Sequence, residues 1–98
     1  MARLRKNPSD VFRIFEEMEW IRYLIRKKLR DGRLPYNSVP RLWGVAGDGQ
    51  VCDACDEPIT KLQLMMEGLA SRLADKKPIQ FHVRCFQIWD AERRAATA

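Results

Sequence analysis

Ninety-eight residues make one domain, and a chain this short buries only about 60–65% of the surface its unfolded form exposes, so its core needs a metal or self-association. Apolar residues at 46% and charged residues at 32% exclude a disordered chain, and no run approaches the roughly 18 apolar residues that span a bilayer. The net charge of +5 lies wholly in residues 1–35, where ten Lys/Arg face five acids, while residues 36–98 carry eight of each sign.

The opening "MARLRKNPSD" is basic without an apolar core behind it, so no secretory signal is read there and the cytoplasm is the expected address. From residue 10 to 31 the spacing predicts a long amphipathic helix. Val11, Ile14, Phe15, Met18, Ile21, Ile25 and Leu29 recur every three or four residues, and Phe12, Trp20, Tyr23 and Leu24 widen the stripe. Ser9 or Asp10 suits its N-cap, and Gly32 followed by Pro35 ends it. Acids in its first half and bases in its last turns suit the helix dipole. Residues 36–50 read as a Pro- and Gly-punctuated strap in which Leu42, Trp43 and Val45 pack on a neighbour. Residues 57–81 fit two patterns: Leu62, Met65, Met66, Leu69 and Leu73 suit a helix, whereas Leu62, Leu64 and Met66 suit a strand. Asp75-Lys76-Lys77-Pro78 is turn material, and Ile79 and Phe81 alternate just before His82. From His82 to about Arg94 a second helix is expected, packing through Phe86 and Trp89.

The chemistry lies in the pattern C-x2-C-x26-H-x2-C, formed by Cys52, Cys55, His82 and Cys85. Three thiolates and an imidazole are the donor set of a tetrahedral Zn²⁺ site. In a turn, C-x2-C aims two sulfurs at one ion. At a helix start, positions i and i+3 share a face, and the positive helix end favours the Cys85 thiolate. All three cysteines and the one histidine of the chain fall in this pattern, and an odd cysteine count argues against a disulfide framework. Ordinary buried cysteines, or a redox pair at Cys52/Cys55, are the rival readings, the latter lacking its βαβ setting. Four strong ligands close the site, whereas catalytic zinc keeps a position open. No second histidine remains as a base, and Asp53 and Asp56 beside the C-x2-C read as solvated turn residues. One structural Zn²⁺ per chain is expected.

The run Cys52-Asp-Ala-Cys55-Asp-Glu-Pro-Ile59, then Phe81-His82-Val-Arg-Cys85-Phe86, resembles the first zinc half-site of LIM-type and other treble-clef modules. That resemblance implies a knuckle, a β-hairpin and a helix whose first turn supplies the last two ligands, and so favours a hairpin for 57–81. The 26-residue spacer is longer than in a LIM half-site and no second cysteine cluster follows, so one zinc module is implied. The features "DGRLP" (31–35), "RLWG" (41–44) and "FHVRC…W…ER" are also similar to a group of short, uncharacterised bacterial proteins, a likeness over residues 24–94 that implies fold and metal but no function.

The expected architecture is a small α+β fold. A basic N-terminal helix (1–35) and a strap (36–50) precede a treble-clef-like zinc module of knuckle, β-hairpin and C-terminal helix (51–98). The apolar stripe on 10–31 either packs on that module, with Trp43 and Trp89 between, or meets a partner protein or a second copy through a seam of about two heptads. Arg22, Arg26, Lys27, Lys28, Arg30 and Arg33, with Arg3, Arg5 and Lys6 as an arm, offer the alternative of phosphate contacts to nucleic acid. No base-reading motif accompanies them. Without an unliganded acid–base pair the chain reads as non-catalytic, with no small-molecule substrate and no membrane contact. A protein-interaction or regulatory adaptor is the leading expectation.

Overall fold

The computed structural model of the chain describes residues 8–37, 39, 41–69 and 78–97, the side chains of 8–12 and 97 excepted. Helix α1 (Pro8–Arg30) runs for 23 residues. Its buried side are Ile21, Ile25 and Leu29, at the spacing read from the sequence, with Ile14, Met18 and Leu24 half-buried. Phe15, Trp20 and Tyr23 point to solvent instead, and the rings of Trp20 and Tyr23 stack at 5.5 Å. The widened stripe is therefore two faces, one inward and one outward. Val11 and Phe12 side chains, and the Arg3, Arg5 and Lys6 arm, lie outside the described residues.

The end of α1 is fixed by backbone chemistry. Gly32 takes φ +81°, a left-handed conformation that costs glycine nothing, and its N–H donates to the Leu29 carbonyl at 3.2 Å. Arg33 and Leu34 then both donate to the carbonyl of Lys28, at 2.8 and 3.1 Å, closing a Schellman cap with Leu34 buried beneath it.

Residues 41–46, read from the sequence as part of a strap, form a strand. This β1 (Arg41–Ala46) pairs antiparallel with β4 (Leu64–Leu69), Gly44 facing Met66, and β4 pairs antiparallel with β5 (Ile79–His82), Met66 facing Phe81. Two-residue strands β2 (Gln50–Val51) and β3 (Pro58–Ile59) make a separate ribbon. The described part of this stretch, 57–69 and 78–81, therefore follows the strand pattern. Met65 is buried and Leu64 exposed, as alternation requires, and Leu62 stands in a turn with 97% of its surface open. The turn expected at Asp75–Lys77 lies outside the described residues. Across the sheet, Glu67 accepts from the Trp43 indole at 2.9 Å and from the Gln80 amide at 3.3 Å. Trp43 thus lies on the sheet, not between α1 and the rest.

Helix α2 (Val83–Thr97) follows β5 without a loop, so His82 ends a strand where a helix start was expected. Trp89 is its anchor: 1% exposed, ring centroid 5.2 Å from Phe81 and 5.8 Å from Phe86, with its indole N–H donating to Pro35 O at 3.0 Å. These rings, Ile88, and the inward face of α1 form one core with Cys52, Ala54, Ile59 and Cys85. Among the described residues no helix is long and apolar enough to cross a membrane.

Glu92 ties the two helices together, accepting from Arg26 Nε at 2.8 Å and pairing with Arg22 Nε at 3.2 Å. The hydrogen bond from Arg26 holds its carboxyl below the ordinary 4.5. A depressed folded-state pKa means the stabilisation is present above that ordinary value and is lost as pH falls through the lower folded value. Urea titrations should accordingly show Glu92→Gln modestly less stable than the parent at pH 7, with the gap closing below pH 4.5. A gap that persists at pH 3 would assign the effect to packing instead.

Candidate metal centre

The sequence between β2 and β3 folds as a tight knuckle. Cys52 N–H donates to Glu57 O at 2.9 Å and Asp56 N–H to Cys52 O at 3.0 Å, while Asp56 itself takes φ +68°, a conformation that short polar side chains tolerate. Asp53 stitches this knuckle to β5: its N–H donates to Gln80 O at 2.8 Å, and its carboxylate accepts the Gln80 N–H at 2.8 Å. Burial pushes the Asp53 carboxyl up, and the Gln80 N–H draws it back down. Asp53 and Asp56 are exposed turn residues, as the sequence suggested, and each also braces the knuckle through hydrogen bonds.

That stitch brings the C-x2-C to the corner where β5 becomes α2. The candidate ligand atoms of Cys52, Cys55, His82 and Cys85 lie within 4.8 Å of one another. His82 Nδ1 stands 3.5 Å from Cys55 Sγ and 3.8 Å from Cys85 Sγ. Its other nitrogen, Nε2, lies 3.1 Å from Pro58 O. A carbonyl only accepts, so Nε2 carries the proton and the Nδ1 lone pair faces the sulfurs, the orientation by which a backbone carbonyl sets a ligating histidine. Hydrogen bonds from the Cys55 and Cys85 side chains hold the Cys52 thiol far below its ordinary range, and the same contact with Cys52 pushes Cys85 far up. The three sulfurs therefore compete for negative charge, and a cation at their centre would relieve that competition. This Cys3His group could bind a metal ion.

Cys52 and Cys85 are buried and Cys55 and His82 half-buried. The half-buried pair lines a groove of about 790 Å³ between Trp20 and Ile21 of α1, Leu64, and Val83 and Arg84 of α2. An ion or chelator has a route to the site along it.

The six cations singled out in the sequence do not form one surface. Lys28 is 4% exposed, its ammonium bonded to Asp53 O, Ala54 O and Asp56 Oδ1. Arg22 and Arg26 turn to Glu92, and Lys27 and Arg33 lie 3.5 and 3.4 Å from Asp31. Arg30 is exposed and has no ion pair among the described residues. Sequence reading missed the place of Lys28, although a signal was there. Position 28 falls three residues after Ile25 and seven after Ile21, inside the buried stripe, where a lysine without a partner would be costly.

A scan against protein-family models finds no match, and searches of curated proteins and of solved structures find none.

Proposed function

We propose that the chain is a non-catalytic zinc protein that works as a protein-interaction or regulatory adaptor. The observation that carries the zinc reading is the four-ligand cluster itself. Metal–sulfur bonds of about 2.3 Å and a metal–nitrogen bond of about 2.0 Å place tetrahedral S and N ligands about 3.5 Å apart. The separations of His82 Nδ1 from Cys55 and Cys85 Sγ, 3.5 and 3.8 Å, fit that spacing. Three thiolates favour soft or borderline ions over magnesium or calcium. Cys52, Cys55, His82 and Cys85 would hold the ion, which supplies cross-linking and charge neutralisation. With all four positions taken by protein it offers no seat for a substrate. Knuckle, antiparallel strand pair and helix follow one another in the order of a treble clef, which supports that reading of the fold.

The adaptor reading rests on the outward face of α1, where Phe15, Trp20 and Tyr23 are each more than half exposed. Aromatic side chains are the usual anchors of protein interfaces. The nucleic-acid alternative is weakened by the burial of Lys28 and the engagement of Arg22 and Arg26 by Glu92.

Native mass spectrometry with and without chelator tests the zinc reading. One Zn²⁺ per chain is expected, lost on chelation. A folded protein that carries no metal when expressed and purified with zinc present would overturn the zinc reading.

A further inference from the structure

Lys28 is a charged side chain inside the protein, and its surroundings say what it is for. An ammonium has three N–H donors. Here there are three acceptors at 3.0, 3.0 and 2.8 Å: the carbonyls of Asp53 and Ala54 and the carboxylate of Asp56. All three belong to the five-residue turn 52–56 that holds Cys55. The other end of Lys28 is equally fixed, since its own carbonyl receives the N–H groups of Arg33 and Leu34 in the cap of α1.

A peptide unit is planar and, in this chain, trans wherever described. A carbonyl and the N–H of the same unit therefore point in opposite directions. Ala54 O faces Lys28, so the Cys55 N–H of that unit faces the other way, towards the Cys52 sulfur that it hydrogen-bonds. The ammonium thus sits on one side of the knuckle backbone and the thiolate on the other. Turning the Ala54 carbonyl away from Lys28 would also turn the Cys55 N–H away from the Cys52 sulfur.

Charge points the same way. A dication with three thiolates and a neutral imidazole carries one net negative charge, and the ammonium lies against the turn that bears two of those thiolates.

We infer that Lys28 is a positioning residue of the metal centre: reaching from α1, it holds the carbonyls of Asp53 and Ala54 so that the Cys55 N–H faces the Cys52 sulfur, and it thereby makes metal affinity depend on a residue of another element. This rests on the metal reading above and deepens it.

The test is a chelator competition with Zn²⁺, paired with absorption spectra of the Co²⁺-loaded protein. Both are run on the parent, on Lys28→Met, and on Glu92→Gln, which loosens the contact between α1 and α2 without touching the knuckle. Lys28→Met should weaken Zn²⁺ binding about 10–100-fold, the range for groups that orient ligands, and shift the thiolate-to-cobalt bands. Glu92→Gln should stay within about twofold of the parent and leave those bands in place, because general loosening does not reorient the sulfurs. Affinity and spectrum both unchanged in Lys28→Met would overturn the inference. Should Lys28→Met fail to fold, Asp56→Asn serves. Its side chain is exposed, asparagine accepts the left-handed backbone, and the charged acceptor is lost. That variant should bind Zn²⁺ several-fold more weakly, and parent-like affinity in it would again overturn the inference. A parent protein that takes up neither ion would instead overturn the metal reading itself, an outcome distinct from a loaded parent with an indifferent Lys28 variant.

Discussion

Cys52→Ser and Cys85→Ser each abolish the cooperative thermal transition of residues 51–90, and chelation of the parent protein does the same. The magnitudes decide this expectation. Structural zinc contributes about 10–16 kcal/mol of apparent binding free energy in small zinc peptides at neutral pH, whereas a whole domain is stable by only about 5–15 kcal/mol. Lys28 and Asp53 also brace the knuckle, but hydrogen bonds to charged groups contribute only about 1.5–3 kcal/mol each. They orient a site that they cannot by themselves hold shut. Cys52 and Cys85 also belong to the buried core, so loss of the ion opens the packing around Ile59 and Trp89 as well. Melting followed by near-ultraviolet circular dichroism, which reports packed aromatic rings, checks the claim. An unchanged melt after complete chelation would show that the apolar core suffices and that the ion is an accessory.

Trp89→Ala is the second large effect, expected to cost about 3–5 kcal/mol, the usual loss for truncating a buried aromatic. The indole touches three parts of the fold at once. Its ring lies on Phe81 of β5 and Phe86 of its own helix, Arg93 sits 5.3 Å from its centroid, and its N–H reaches Pro35 beyond the cap of α1. Trp89→Phe separates these contributions. It keeps a ring against Phe81 and loses the hydrogen bond to Pro35, a bond that contributes about 1 kcal/mol, with a smaller void as a further cost. Urea denaturation of the metal-loaded proteins should rank them parent, Phe, Ala. Equal losses in the two variants would place the effect in the Pro35 contact and not in ring packing.

What the sequence revealed, and what it hid, follows from how local each feature is. The four candidate ligands were legible because every cysteine and the one histidine fall in two closely spaced pairs, with no cysteine left over for a disulfide. The inward face of α1 was legible because Ile21, Ile25 and Leu29 keep a helical period. Strand β1 was not. All six of its residues are exposed, so no in–out alternation marks it, and its extended form comes from pairing with β4, whose partner residues lie 18 to 28 positions away. The same non-local pairing settles residues 64–69, where Met65 facing His82 overrides a pattern that suits a helix almost as well. The Nδ1 orientation of His82 depends on Pro58, a carbonyl that no side-chain pattern announces. Lys28 stood in a basic run at a helix end, and its charge hid its place in the buried stripe.

The four candidate ligands arrive as two local pairs at opposite ends of a 26-residue segment, and this bears on how the chain finds its fold. In the extended polypeptide each pair is already near its partner, so either can capture an ion before any tertiary contact exists. Once one pair is loaded, the remaining search reduces to closing a single loop. The entropic cost of that closure grows only with the logarithm of loop length, so 26 residues cost little more than half as many would. Contacts between segments distant in sequence ordinarily slow folding, because the loop must close before anything rewards it. Here an ion held by one pair would reward the first encounter of the two ends, and β4 and β5 lie within the segment it would close.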